Sequence, residues 1–465
     1  MRSAVRIVQP ESLEIEDVLE AIGGAAADLG VEAYLVGGFV RDRLLGGPPS
    51  KDIDLVTVDS DPLSLLAAVA GRFGWHPPER FERFGTAQIR GPGFIVEGVR
   101  ARAERYDPES RNPSVRPGTL AEDILRRDFT VNALCQTLDG RVIDITGKGL
   151  ADLHAGLLRT PLDPAETFAE DPLRMYRAAR FVAQLGFALA SGTIEAMRAQ
   201  AQRTAILSVE RVSDELRRLL VSPHPSAGIE VLRESGLLAQ VLPELLAALG
   251  IEQGGFHTHD VYGHSIGAVD AAPRDLVTRT AALLHDIGKP ATHVITPDGR
   301  HTFYDHASVG ADMARIILTR WRFSNEEIAA VSRLVRLHLR PIQYKRETFS
   351  DAAVRRLISD AGDLRGRLLD LARADTTASS YPTLAEIDEL EERMAELDAG
   401  GVVSAMRDPL TGDDLMAITG RGPGPWVGAA KAAIRDAVLE GMIPPGDAGA
   451  ARAWLDAHAE VLRDA

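Results

Sequence analysis

Two carboxylates one residue apart, Asp52 and Asp54 in the run SKDIDLVTV, restrict this chain more than any other feature. Side chains on an extended strand alternate between faces, so both carboxylates would point to one side and Ile53 to the other. Like charges that close call for a cation. Hard oxygen donors suit a divalent metal that completes its shell with phosphate oxygens. The preceding residues fit that reading: an apolar strand over 33–36, the pair Gly37-Gly38, and a short helix over 39–45 that carries Arg41 and Asp42. Glycines let the backbone approach a phosphate, and a helix N-terminus favours negative charge. The order strand, Gly-Gly, short helix, loop, Asp-x-Asp strand therefore predicts a nucleotide-metal site.

A chain of 465 residues exceeds one compact core and implies several domains. With 45% hydrophobic and 26% charged residues it has the composition of a soluble globular protein. No apolar run reaches membrane-spanning length and the N-terminal stretch has no signal-peptide core, so a cytoplasmic location is expected. The single cysteine, Cys135, excludes an internal disulfide and sits in an apolar stretch, as a buried thiol would. A formal net charge of -15 argues against non-specific coating of nucleic acid. It leaves room for a local basic surface, and arginines are dense over 100–127 and 174–180.

Further along, helices are expected over 11–30 and 61–73, and strands over 31–36, 53–58, 86–90 and 94–99, the last two joined by a Gly-Pro-Gly turn. Glu97 in the last strand is a candidate third carboxylate. Residues 103–121 lack an apolar period and read as a long loop. Two clusters of arginine and acid follow. The first is Arg126-Arg127-Asp128 with Asn132. The second is Glu170, Asp171, Arg174, Arg177 and Arg180, where a helix starting near Asp171 would bring the three arginines to one face. Residues 190–245 read as all-helical. A separate constellation, His264, His285-Asp286, His306, His338 and Asp375, mixes imidazoles and carboxylates as transition-metal sites do, with His257 and His259 in reserve.

Taken together, GGFVRD, KDIDL, RRDFTVNAL and EDPLRMYRAARF resemble the class II tRNA nucleotidyltransferases, the CCA-adding and A-adding enzymes, with bacterial poly(A) polymerases close by. The resemblance covers roughly residues 30 to 190. It implies that Gly37, Gly38, Arg41 and Asp42 form the phosphate-binding turn. Asp52 and Asp54 would hold Mg²⁺ for transfer of a nucleotide to an RNA 3′-hydroxyl, with Glu97 beside them as metal ligand or general base. Arg127, Asp128 and Asn132 would hold ribose and triphosphate. Glu170, Asp171 and Arg174 would read the incoming base, and Arg177 and Arg180 would contact the triphosphate. The partners implied are tRNA, ATP and CTP, with neither DNA nor a membrane. The family's flexible loop falls at 102–121 without deletion, which favours CCA or A addition over CC addition alone.

The histidine constellation resembles the HD phosphohydrolases. His264, His285, Asp286 and Asp375 would be the primary metal ligands, for a metal such as Ni²⁺, Mn²⁺ or Co²⁺. His306 and His338 would line a phosphate or a second metal, and Lys289 would support a phosphate. The expected fold is α+β. A nucleotidyltransferase head with a five-stranded mixed sheet occupies 1–160, and a helical neck 161–245. An HD domain follows over 246–380, then a helical, tRNA-contacting tail over 381–465.

Overall fold

The computed structural model describes residues 13–47, 50–81, 85–105, 114–253, 259–379, 383–399 and 408–458. They fall into two compact units, one through Val241 and one from Leu242.

The first unit opens with α1 (Ile15–Leu29), which buries Val18, Ile22 and Ala25 and stops at Gly30 in the left-handed conformation. Strand β1 (Glu32–Val36), α2 (Gly38–Leu44), β2 (Asp52–Val58) and α3 (Pro62–Phe73) follow. Asp61 caps α3 and Pro62 takes its first position, where a missing N–H costs nothing. Next come β3 (Glu79–Phe81), β4 (Thr86–Gly91) and β5 (Phe94–Arg100). Later β8 (Cys135–Thr137) and β9 (Val142–Ile143) complete a seven-stranded sheet in the order β3-β4-β5-β2-β1-β8-β9. The expected five strands are thus seven. The extra ones are runs of two or three residues, too short to show an alternating pattern.

Within this sheet, among the described residues, only β2 and β5 run parallel, and their register sets Asp54 opposite Glu97. Along β2 the pleat holds: Ile53 and Leu55 are buried on one face, while Asp52 and Asp54 lie open on the other. Farther along the Asp-bearing face, Val56 is covered in a cluster with Val36, Ala101, Ile124, Ala133 and Cys135. Polar and apolar ends of one strand face, Asp54 and Val56, are therefore set two residues apart. Cys135 is buried, and burial pushes its thiol up to about 11, as a structural thiol requires.

The stretch read as a loop over 103–121 is corrected in part. Strands β6 (Arg102–Arg105) and β7 (Ser114–Pro117) pair antiparallel in a ribbon separate from the main sheet. A two-stranded ribbon is held by main-chain hydrogen bonds and needs no apolar period. Residues 106–113, the centre of the expected flexible loop, lie outside the described residues. Helix α4 (Leu120–Leu125) starts on a capping box of Thr119 and Glu122. It is followed by α5 (Gly149–Ala155), α6 (Pro164–Glu170) and α7 (Leu173–Leu185). Asp171 is therefore the residue that ends α6, and the next helix begins two residues later than expected because Pro172 resets the chain. Helices α8 (Thr193–Gln200), α9 (Val209–Leu220) and α10 (Pro225–Glu234) pack beyond it.

Among its described residues the second unit is helical apart from one hairpin. Helices Val261–Ala271, Leu276–Leu284, His306–Arg320, Asn325–Leu337 and Arg365–Ala378 surround the histidine constellation. Helix Ala385–Leu397 follows, and then Gly412–Thr419, Pro425–Leu439 and Ala448–Ala457, which share a core of Leu415, Trp426, Ile434 and Leu455. No described helix is long and apolar enough to cross a membrane.

Candidate nucleotide-binding cavity and histidine cluster

In the first unit a cavity of about 1060 Å³ is lined by Gly37, Gly38, Arg41, Asp42, Asp52, Asp54, Glu97, Arg127, Asp128, Asn132, Asp171, Arg174, Arg177 and Arg180. Of the residues singled out from sequence for nucleotide chemistry, only Glu170 is not on its wall. Glu170 touches the cavity indirectly, by pairing with Arg174 at 3.2 Å.

At one end stand the three carboxylates. Desolvation by the surrounding cavity walls, to which its side chain is open, and the neighbouring Glu97 push the Asp54 carboxyl up to about 6, against the pull of Arg127. An anionic site that resists losing its own proton is short of positive charge, and its donors are hard oxygens on one face. That fits a divalent cation. Gly37 sits at φ 71°, and a Cβ there would come within 3.2 Å of Arg127 Nη1 and 3.4 Å of Asp54 Oδ2. Glycine is required on both counts. Arg41 donates from Nε to Asp42 at 2.7 Å and from Nη1 to Asn132 at 2.6 Å, so the Gly-Gly turn and the RRD segment are tied together.

Asp128 is buried and accepts at Oδ1 from Phe129 N and Asn132 Nδ2, and at Oδ2 from Nε and Nη2 of Arg177. Burial disfavours its charge, yet Arg177 and these hydrogen bonds hold its carboxyl down at about 2. Its acceptor positions are all taken by protein donors. A ribose hydroxyl would have to displace one of them.

At the other end lies Asp171, whose Oδ1 accepts from Leu173 N at 3.1 Å and whose Oδ2 is 3.6 Å from Arg211. Arg174 spends Nη1 on the Thr167 carbonyl and Glu170, and one Nη2 hydrogen on the Arg126 carbonyl at 2.5 Å. Its Nε–H and second Nη2–H remain for a ligand. Arg180 lies 3.9 Å over the Phe181 ring and donates from Nε to Glu215 at 2.5 Å. Glu215 also approaches Arg177 at 3.7 Å.

Sequence reasoning missed Arg102, Ser208, Arg211 and Arg218, which also line the cavity, and Glu215, which anchors two of its arginines. Arg211 and Arg218 are seven apart on α9, a helical repeat visible in the sequence. Glu215 carries no such sign: in the sequence it is one of several charges on α9, and its burial shows only in the structure.

In the second unit six donors converge. His264, His285 and Asp375 form one group in which the ligand atoms lie within 4.8 Å of one another, and Asp286, His306 and His338 form a second. Asp286 stands between the groups: its Oδ1 lies 3.4 Å from His306 and 3.8 Å from His338, and its Oδ2 3.1 Å from His285 and 3.7 Å from His264. The Nδ1 atoms of His285, His306 and His338 each lie within 2.8 Å of a main-chain carbonyl, of Ala282, Phe303 and Val335. A carbonyl only accepts, so Nδ1 carries the proton and Nε2 is turned towards the cluster, the tautomer a metal needs. Nε2 of His306 and of His338 is buried without a hydrogen-bond partner. Asp286 and Asp375 outweigh burial to raise His285 to about 9, while burial and the charge on His285 push His338 down to about 4. Lys289 pairs with Asp286 at 2.6 Å. The loop between His285-Asp286 and Lys289 packs main chain against main chain. A Cβ on Gly288 would strike the His306 carbonyl and Gly310 N. His257 lies outside the described residues, and His259 is exposed and in neither group.

Comparison with known proteins places three family models along the chain. A family model described as the Poly A polymerase head domain matches residues 33–159. Another, described as a probable RNA and SrmB-binding site of polymerase A, matches 186–249, and an HD domain model matches 255–379. An A-adding tRNA nucleotidyltransferase of Deinococcus radiodurans is 34% identical over 447 residues, covering 92% of this chain and 96% of its own. The chain belongs to the tRNA nucleotidyltransferase and poly(A) polymerase family. Within that family, a CC-adding tRNA nucleotidyltransferase of Thermus thermophilus is 35% identical over 447 residues, with 91% and 93% covered. A CC-adding and an A-adding member thus stand at the same distance. The Bacillus stearothermophilus CCA-adding enzyme, solved in complex with CTP, superposes with a TM-score of 0.70 at 25% identity over 97% of this chain and 100% of that one.

Proposed function

We propose that this protein adds CMP and AMP, or AMP alone, to the 3′ end of tRNA from CTP and ATP without a nucleic-acid template. One observation carries the reading: a single arginine-lined cavity holds three carboxylates at one end and the pair Asp171 and Arg174 at the other. Asp52 and Asp54, with Glu97 opposite, would hold Mg²⁺, which when bound supplies the charge that polarises the RNA hydroxyl and the leaving pyrophosphate. Arg41, Arg127, Arg177 and Arg180 bring positive charge to the triphosphate, each already oriented by the protein, so little reorganisation accompanies binding. Asp171 offers acceptor lone pairs and Arg174 two remaining N–H groups to a base edge. A base of the wrong pattern leaves those buried groups unmatched. The one cysteine and the cytosolic nature of such chemistry favour a cytoplasmic setting. The test is incorporation of each labelled triphosphate into tRNA lacking its 3′ trinucleotide and into tRNA ending in CC. No incorporation on either would sink the proposal.

A second activity, phosphohydrolysis in the HD domain, rests on the three imidazoles whose Nδ1–H groups are fixed on carbonyls. His264, His285 and Asp375, with Asp286, His306 and His338, would hold Ni²⁺, Mn²⁺ or Co²⁺, which when bound would activate water towards a phosphate ester. Hydrolysis of 2′,3′-cyclic phosphates that survives Asp52→Ala and disappears in Asp286→Ala is the expected result. Loss in both variants would argue against two independent centres.

A further inference from the structure

The two ends of the nucleotide cavity are built by elements far apart in the chain, and one buried side chain connects them. Asp123 on α4 is completely enclosed, 0% exposed. Its two oxygens are divided between two arginines. Oδ1 accepts from Arg126, at 2.6 Å from Nη2 and 3.2 Å from Nε, and Oδ2 accepts from Arg127 Nη2 at 3.2 Å. Although burial opposes its charge, those guanidinium groups hold the carboxyl below its usual range. Both arginines line the cavity.

Each arginine leads to a different end. Arg127 Nη1 lies against Gly37, and its charge acts on Asp54, at the end of the three carboxylates. Arg126 presents its main-chain carbonyl to Arg174 Nη2 at 2.5 Å, at the end where α7 begins. We propose that Asp123 is a positioning residue that fixes the spacing between the metal-triphosphate end and the base-reading end of the cavity. This rests on the nucleotidyltransferase reading above and adds to it a residue that touches no substrate. A buried carboxylate with two guanidinium partners has few alternative geometries, because any departure leaves a charge without its counter-charge. The spacing of three and four residues along one helical turn makes the bracket local, so it forms with α4 itself.

The test is steady-state incorporation on tRNA ending in CC, with ATP against CTP and GTP, using the full chain. In Asp123→Asn the replaced oxygen becomes an amide that opposes one guanidinium. KM for ATP is expected to rise roughly tenfold or more, the scale of one charge-assisted hydrogen bond, with KM for tRNA unchanged. Preference for ATP over CTP is expected to fall with it, since the Arg126 residue whose carbonyl holds Arg174 is no longer anchored by its side chain. A residue that served folding alone would lower the active fraction and leave KM and base preference of the active molecules as in the unaltered protein. That outcome overturns the proposal. If Asp123→Asn does not fold, Asp123→Glu keeps the charge and displaces the carboxylate. It is expected to fold with raised KM and weakened preference, and unaltered values there overturn the proposal equally. Failure of the unaltered protein to incorporate any nucleotide would instead strike the functional reading.

Discussion

The nucleotide cavity and the histidine cluster both gather carboxylates for a cation, but they are assembled on opposite principles. In the cavity nearly every charged side chain has a dedicated protein partner: Asp123 for Arg126 and Arg127, Asp128 for Arg177, Glu215 for Arg180. Only the three-carboxylate end is left short of charge. In the cluster the ligands crowd on one another, with His264 Nε2 3.2 Å from His285 Nε2 and two imidazole nitrogens without partners. Apart from that end and the remaining N–H groups of Arg174, the first site is complete as a polar structure before a ligand arrives. The second is complete only around an ion.

The largest expected effect separates the two outright. Asp52→Ala should reduce nucleotide incorporation by at least about 10²–10³-fold, the scale of losing a preorganised electrostatic contact, while metal binding by the cluster is unchanged. Parallel incorporation and metal-titration measurements check this, and loss of both would break the contrast. Next, Glu215→Ala should strip Arg180 of its buried partner and destabilise the first unit by about 3–5 kcal/mol. Hydrogen exchange over α7 and α9 would read that loss, and unchanged protection would show that the pairs are ornamental.

Those partners also mark where the sequence was legible. Asp52, Asp54, Gly37 and the arginine clusters announced themselves because local spacing, two along a strand or three along a helix, already puts their side chains together. The seven-stranded sheet and Glu215 did not. Strands of two or three residues carry no period, and the Glu215 contact to Arg180 joins residues 35 apart on different helices. The residues of the histidine cluster sat between these cases. The His285-Asp286 doublet was visible, but the grouping of Asp286 with His306 and His338 depends on how the helices pack.

Smaller effects sharpen the comparison. Ni²⁺, Mn²⁺ or Co²⁺ at a hundredfold excess over its dissociation constant should stabilise the second unit by about 2.7 kcal/mol. Thermal unfolding with and without chelator measures the shift, which Asp286→Ala should abolish. His285, raised to about 9, is protonated in the metal-free protein at neutral pH and must lose that proton to become a ligand. Metal uptake should therefore acidify a weakly buffered solution at pH 7, with less release above pH 9. Silence in a pH-stat titration would mean that His285 is not both protonated beforehand and a ligand afterwards.

At the other site Asp54 is the group on which pH acts. Its folded pKa, about 6, lies above the ordinary 3.8, so the folded protein keeps a proton that the unfolded chain has lost. In metal-free protein this contribution to stability is present below about pH 4 and falls away as pH rises through 6. Mg²⁺ needs the ionised carboxylate, so its apparent affinity should weaken below pH 6. Incorporation assayed across Mg²⁺ concentrations at pH 5.5 and 7.5 should show that shift, and Asp54→Asn should remove it along with most activity.

The bare main-chain contact at Gly288 bears on how such a cluster could change over generations. A tolerance set by side chains can drift one atom at a time, because each substitution is a small adjustment. Here the gap between the His285-Asp286 turn and the first turn of the helix that begins at His306 is set by two backbones with nothing between them. Any side chain at 288 would act as a wedge, parting Asp286 from His306 in a single step. The geometry of this centre is therefore inherited whole or lost whole, with no graded series of intermediate spacings.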